Sequence, residues 1–181
     1  FMVSNQFWRH KNHPLVIDAM KHLVDFSRDK ECLVCFSGKE EDVRNPDYPR
    51  EIRAMVKNYS LKDRIRFLGF IDRAEQLALM KASVAVIQPS LFEGWSTVIE
   101  DAKALCVPVL ASDLPVHLEQ LGEQGVYFPR KDSLILAAKM GEQLEKQGEK
   151  PSDPWSYEQR VEAFGRHFVR ILKRVVVHSE D

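Results

Sequence analysis

The chain has 181 residues, 44% of them hydrophobic and 29% charged, and its 26 basic and 27 acidic side chains leave a formal net charge of −1. That is the composition of an ordinary globular domain, and so even a balance gives no reason to expect a nucleic-acid or anionic-membrane partner. Three cysteines make no even disulfide framework, no apolar stretch has the length of a membrane span and no signal peptide is visible, so the expectation is a cytoplasmic protein with reduced thiols.

Strand-like apolar runs alternate with helical patterns along the chain. Phe1–Ser4 reads as a strand, and Pro14–Arg28 as an amphipathic helix with its proline near the first position. Cys32–Ser37 is a second strand. Its two cysteines stand three positions apart and so face opposite sides of a sheet, a poor arrangement for clasping a metal. Pro49–Tyr59 reads as a helix, Arg64–Leu68 as a strand, and Arg73–Ala82 as a helix capped by Asp72. Val84–Gln88 is a buried strand followed by the helix Thr97–Leu105, and Val107–Ala111 is a strand leading into a short helix within SDLPVHLEQLG. Gly125–Phe128 is the last strand, Ser133–Gln147 a helix and Trp155–Val177 a long terminal helix.

Six mostly apolar strands separated by helices predict a mainly parallel sheet covered on both faces, a doubly wound, Rossmann-like α/β domain. The domain is expected over residues 1–150. Residues 151–181 are expected to form a linker and a helix packing on that domain or on another. The chain opens directly on a core strand, with no cap or polar lead-in, which reads as one half of something longer. Ligands of such a sheet bind beyond the carboxyl ends of its strands. That rule selects three loops, Asn5–Asn12, Gly38–Asp47 and Pro89–Ser96.

The third loop carries the most chemistry. In PSLFEGWSTVIEDAKAL a buried strand hands over to a helix through Glu93-Gly94-Trp95-Ser96-Thr97, with Glu100 following. Ser96 or Thr97 is placed to cap the helix, whose remaining free N–H groups suit an oxyanion, and Gly94 admits a group close to the backbone. Lys11 adds a point charge. Glu93 and Glu100 suit vicinal hydroxyls instead, because a carboxylate accepts several O–H hydrogen bonds. The plainer reading of either acid is a complement to the helix dipole or a solvated surface group. His10 and His13 in HKNH have metal-like spacing but no third ligand, so they read as polar residues at a helix start. Lys39–Asp42 reads as a solvated loop. On residues alone, the ligand is a small molecule that contains phosphate.

These stretches also resemble a known family. PSLFEGWSTVIEDAKAL, followed by CVPVLASDLPVHLEQLG, is similar to the donor-binding signature of the retaining, nucleotide-sugar-dependent group 1 glycosyltransferases of the GT-B fold. RIRFLGFIDRAEQLALMKASVAVIQPS resembles the segment before that signature, and SNQFWRHKNHPLVIDAM the family's opening strand, loop and helix. The resemblance extends from the first residue to about Phe128.

It implies the C-terminal, donor-binding half of an enzyme that transfers a sugar with retention, the acceptor domain lying N-terminal to it. It further implies Lys11 on the diphosphate, with Asn5 where many members have arginine and Arg9 supplying charge nearby. Glu93, the implied catalytic residue, would stand near the transferred sugar and Glu100 on the ribose. Gly94, Trp95, Ser96 and Thr97 would surround the phosphates with backbone donors, and Phe70 and Ile71 would lie against the base. Six residues, Gly94 to Ile99, separate the two acids, one fewer than is usual in the family.

The implied donor is a UDP-, GDP- or ADP-linked sugar, with no cofactor and no metal, because cationic side chains and a helix N-terminus neutralise the leaving diphosphate. Membrane association would come only through the other half. A nucleotide-sugar epimerase half-domain shares this architecture and stays open. A non-catalytic nucleotide-binding α/β module is the third reading. Its receiver-domain form needs acids after the first strand, where SNQFWRHKN has none.

Overall fold

The computed structural model describes residues 1–26, 31–146 and 157–177. Six strands form one parallel sheet: β1 (Met2–Ser4), β2 (Val34–Ser37), β3 (Ile65–Gly69), β4 (Val86–Gln88), β5 (Val109–Ser112) and β6 (Val126–Phe128). Their order is β3-β2-β1-β4-β5-β6, all neighbours parallel, in register Met2 with Cys35 and Val86, and Val86 with Val109. The expected doubly wound α/β fold is present.

Period-two alternation explains why both faces must be covered. Val3, Val34, Phe36, Ile87, Leu110 and Phe128 enter one apolar layer, where they meet α1 (His13–Phe26), α2 (Tyr48–Asn58) and α6 (Ser133–Glu145). Met2, Cys35, Val86, Val109, Ala111 and Tyr127 enter the other, against α3 (Arg73–Ala82), α4 (Thr97–Ala104) and α5 (Pro115–Leu121). A strand buried on both sides shows a continuous apolar run, which is how these strands read in the sequence. Cys32 and Cys35 do go to opposite layers, and all three cysteines are free and half-buried.

Several strands are shorter than their apolar runs. Phe1, Ala85 and Val107 are buried and precede the strands' first residues, and Phe1 and Ala85 still accept across the sheet, from the Cys35 N–H at 2.9 Å and the Met2 N–H at 3.1 Å. Asp72 caps α3 as expected, accepting from the Glu75 N–H at 2.9 Å. Ser27 and Arg28, Gln147, and Trp155 and Ser156, assigned above to helix ends, lie outside the described residues. So does the polar linker.

The chain divides into two units, Phe1–Pro151 and Ser152–Asp181. The second holds α7 (Tyr157–Val177), whose described side chains Val161, Phe164, Phe168 and Leu172 follow one helical face. No helix among the described residues is long and apolar enough to cross a membrane.

Two sequence readings need correction. His13 does begin α1, but not as a polar residue. It is fully buried, stacked on Phe7 with ring centroids 4.4 Å apart, and edge-on to Phe36 and Tyr48 at 5.4 and 6.3 Å. Neither ring nitrogen has a hydrogen-bond partner among the described residues, and burial lowers its pKa to about 3. The imidazole therefore packs as a neutral flat ring. Asp42, read as solvated, is buried and organises its loop, accepting from the Arg44 N–H and the Asn45 amide, both at 3.0 Å.

Gly38 ends β2 at φ +141°, and a Cβ there would stand 2.1 Å from the Asn5 carbonyl oxygen. This close approach sets the first loop against the second, joined also by Phe7 N–H to the Lys39 carbonyl at 3.1 Å. Gly69 has φ +67° with open space around it, so it carries only the backbone requirement. Gly69→Ala is expected to destabilise the domain by about 1–2 kcal/mol, the cost of a left-handed residue. Gly38→Ala adds a backbone clash and should cost on the order of 3 kcal/mol or more. Urea unfolding of the two variants would show that ranking, and equal losses would contradict the close approach.

The state of His13 fixes a pH dependence. Its folded pKa lies far below the ordinary 6.5, so the unfolded chain takes up the proton first and stability falls as pH drops from 6.5 toward 3. Between pH 7 and pH 5 the loss from this group is about 2 kcal/mol. Burial lowers His117 as well, so His13→Phe should flatten the stability profile between pH 7 and pH 5 without levelling it. Denaturant unfolding at the two pH values measures this.

Candidate functional site

The strand order reverses between β1 and β4, and a cleft lies beyond the carboxyl end of β1, walled by the loops after β1, β2 and β3 and by the start of α4. After β1 the chain makes a 3-10 turn, Arg9–Lys11, and then Asn12 adopts the left-handed conformation at φ 57°. Asn12 donates to the carbonyls of Pro89 and Arg130 at 3.1 and 3.0 Å. The His10 carbonyl accepts from the Leu91 N–H at 2.7 Å. The first and third loops are thus tied together by the Asn12 side-chain amide and one backbone hydrogen bond.

Their side chains meet at Glu93. Its Oε2 accepts from Lys11 Nζ at 2.5 Å, Gln88 Nε2 at 3.1 Å and Ser90 Oγ at 3.2 Å. Gln88, fully buried at the end of β4, also accepts from Asn5 Nδ2 at 3.1 Å. The Lys11 and Glu93 side chains are only 12% and 13% exposed, so each ion needs the other and the amide and hydroxyl donors around them. Burial first, and then the Lys11 charge, lowers the pKa of neighbouring His10.

Ser96, not Thr97, caps α4: its Oγ accepts from the Ile99 N–H at 3.3 Å. The Ser96 N–H is taken by Gln120 Oε1 at 3.1 Å. Of the Gly94–Thr97 donors expected from sequence, that one is spent. Thr97 and Val98, the first two helical residues, have no partner for their N–H groups among the described residues, and both line the cleft. Glu100 lies one turn further, accepting from Gln120 Nε2 at 2.8 Å and paired with Lys103 at 3.3 Å.

The cleft has a volume of about 260 Å³. Asn5, Lys11, Phe70, Ile71 and Thr97, all singled out from sequence, lie on its wall, with Trp8 and Val98 among the residues not foreseen. Glu93 adjoins it through Lys11. Trp95 is exposed, as is Phe70. Arg9 is directed away: its guanidinium pairs with Glu51 at 3.1 Å and lies over the Tyr48 ring.

Sequence reasoning also passed over Gln88, Ser90 and Gln120. The signal was present for Gln120, because α5 buries His117, Gln120 and Leu121 at helical spacing and an amide occupies a core position. Among the described residues no group of three or more His, Cys, Asp or Glu is arranged to hold a metal ion.

A doubly wound α/β domain whose switch-point cleft presents a lysine and a free helix N-terminus is built to meet a small anionic ligand. Residues 1–161 match the family model described as "Glycosyl transferases group 1", and the chain belongs to that family. It is 29% identical over 132 residues to the O-antigen chain mannosyltransferase RfbU of Salmonella typhimurium, covering 73% of this chain and 35% of that one. It is 30% identical over 130 residues to the phosphatidyl-myo-inositol mannosyltransferase of Mycobacterium leprae, covering 70% and 32%. The chain thus spans about a third of the length of these relatives.

Among solved structures, a glycosyltransferase from Rickettsia africae superposes with a TM-score of 0.72 at 17% identity, over 81% of this chain and 38% of that one. Anabaena Alr3699/HepE in complex with UDP gives 0.70 at 24% identity, over 83% and 40%. At these identities the likeness establishes the fold.

Gly94 has no positive φ, and a Cβ there would meet open space. Gly94→Ala should therefore leave the melting temperature within about 1–2 °C of wild type, a surface-sized effect. If a ligand approaches this backbone, the same change should weaken its binding several-fold. Thermal melting and calorimetry separate the two effects, and a large loss of stability would contradict the open geometry.

Proposed function

We propose that this chain is the donor-binding half of a retaining glycosyltransferase that uses a nucleotide sugar. One observation supports this above the others: Lys11, the first two residues of α4, Thr97 and Val98, and the apolar pair Phe70 and Ile71 all line one cleft at the strand switch point. A cation and a helix N-terminus together suit a diphosphate, and an apolar wall beside them suits a base. Membership of the group 1 family and a fold shared with a protein solved with UDP support the same reading.

In this reading Lys11 and the start of α4 hold the diphosphate and stabilise it as the leaving group, with no metal needed. Glu100 takes the ribose hydroxyls. Glu93, held by Lys11, Gln88 and Ser90, stands at the sugar side, close to the bond that breaks. Asn5 contributes through Gln88, the residue that holds Glu93. Acceptor binding belongs to a second, N-terminal domain, and residues 1–181 by themselves bind nucleotide without transferring sugar. The transferase acts in the cytoplasm.

Calorimetric titration of the chain with UDP, GDP and ADP tests this reading. One of the three should bind, and Lys11→Ala should weaken it by about 1.5–3 kcal/mol, the range for hydrogen bonds to charged groups. The matching nucleoside, which has no phosphate, should lose much less. Equal losses for both would remove Lys11 from the phosphate site, and binding of none of the three would overturn the proposal.

A further inference from the structure

We infer that Gln120 is a positioning residue for the ribose-binding carboxylate, a role that rests on the nucleotide reading of the cleft. Its side chain is 5% exposed and belongs to α5, not to the loop or helix that forms the cleft wall. One carboxamide makes three hydrogen bonds there. Oε1 accepts from the Ser96 N–H at 3.1 Å, while Nε2 donates to the Ser96 carbonyl at 3.0 Å and to Glu100 Oε1 at 2.8 Å. Both backbone polar groups of the α4 cap residue are thus clamped by the amide that holds the carboxylate one turn on.

The ring closes through Lys103. Its Nζ donates to the Gln120 carbonyl at 2.8 Å and lies 3.3 Å from Glu100 Oε2. Each Glu100 oxygen is therefore held by one donor. A carboxylate has about four lone-pair sites, so about two remain for other donors. The Glu100 side chain is 41% exposed, which leaves those sites accessible. Vicinal hydroxyls are a matching pair of donors.

Gln120 fixes in one piece the cap that starts the phosphate-facing helix turn and the acid that would read the sugar beyond it. A glutamine at a buried helical position is costly unless all its groups are paired, and here its amide is paired on both sides. An apolar residue of the same shape would fill the space but leave the Ser96 groups and Glu100 without this partner.

The test compares a ribonucleoside diphosphate with its 2′,3′-dideoxy analogue, titrated calorimetrically into wild type, Gln120→Met and Gln120→Glu, with melting temperatures recorded alongside. Wild type should prefer the ribonucleotide by roughly tenfold or more, the worth of one or two hydrogen bonds to a charged acceptor. Gln120→Met, close in volume, should reduce that preference to within about twofold, as Glu100→Gln should. Gln120→Glu keeps the acceptor for the Ser96 N–H but loses both donors, so it should lose the preference even if it folds better than the methionine variant.

A variant that melts lower yet keeps the wild-type preference would overturn the proposal, because a structural role alone predicts that result. Wild type that binds both ligands equally would overturn it too, while leaving the phosphate site standing. Wild type that binds neither would overturn the nucleotide reading together with this inference.

Discussion

A carboxylate drawn out of water must be given positive charge and hydrogen bonds in return, and in this protein that carboxylate is Glu93. Lys11 comes from the loop after β1, Gln88 from the end of β4, and Ser90 from the turn between them and the acid. The two strands are neighbours in the sheet but 82 residues apart in the chain at the ion pair. Satisfying one side chain therefore fixes two loops against each other at the point where the strand order reverses. Asn5 and Gln88, at the ends of the two strands, are hydrogen-bonded at 3.1 Å, so the loops are joined at their bases as well as across Glu93. Gly38 supplies the matching constraint on the other side, where the second loop approaches the Asn5 carbonyl more closely than a side chain would allow.

The fold was legible because burial on two faces writes itself into sequence as continuous apolar runs, here separated by segments of helical period. The alternation of Val109, Leu110 and Ala111 between layers is invisible in a run where every residue is apolar, yet the run itself identifies a central parallel strand. Caps were legible where chemistry is local: Asp72 and Ser96 bond backbone three residues away. His13 was misread because its partners Phe7, Phe36 and Tyr48 come from three different segments, and residue type alone marks an imidazole as polar. Gln88 and Gln120 were missed for the same reason. An amide takes its meaning from what it faces, and here it faces residues 83 and 24 positions away.

Arg9 and Lys11 show how far charge type goes and where geometry takes over. Both sit in one 3-10 turn, both are basic, and from sequence both were candidates for the same anion. The turn directs them apart, Arg9 onto Glu51 and Tyr48, Lys11 into the cleft. Two exposed ions at the rim contribute little to stability, and their pairing is screened by salt. The enclosed pair has no such freedom. Only one of the two cations is therefore placed to act on a ligand between β1 and β4.

The two acids that flank the start of α4 then differ in what an arriving ligand would ask of them. An ammonium has three N–H donors, and Lys11 has one partner, Glu93, among the described residues. A phosphate oxygen can take a second donor without displacing the carboxylate, so the ion pair does not have to break for the cleft to fill. The pair also holds the long lysine side chain in place beforehand, which lowers the entropy lost when it meets an anion. Glu100 is held by an amide from α5 and a lysine of its own helix, and its side chain is 41% exposed. Positive charge thus stands beside the free N–H groups of Thr97 and Val98, with an acceptor one turn along the helix. In the proposed reading these are the places of a phosphate and of sugar hydroxyls, in that order along the helix.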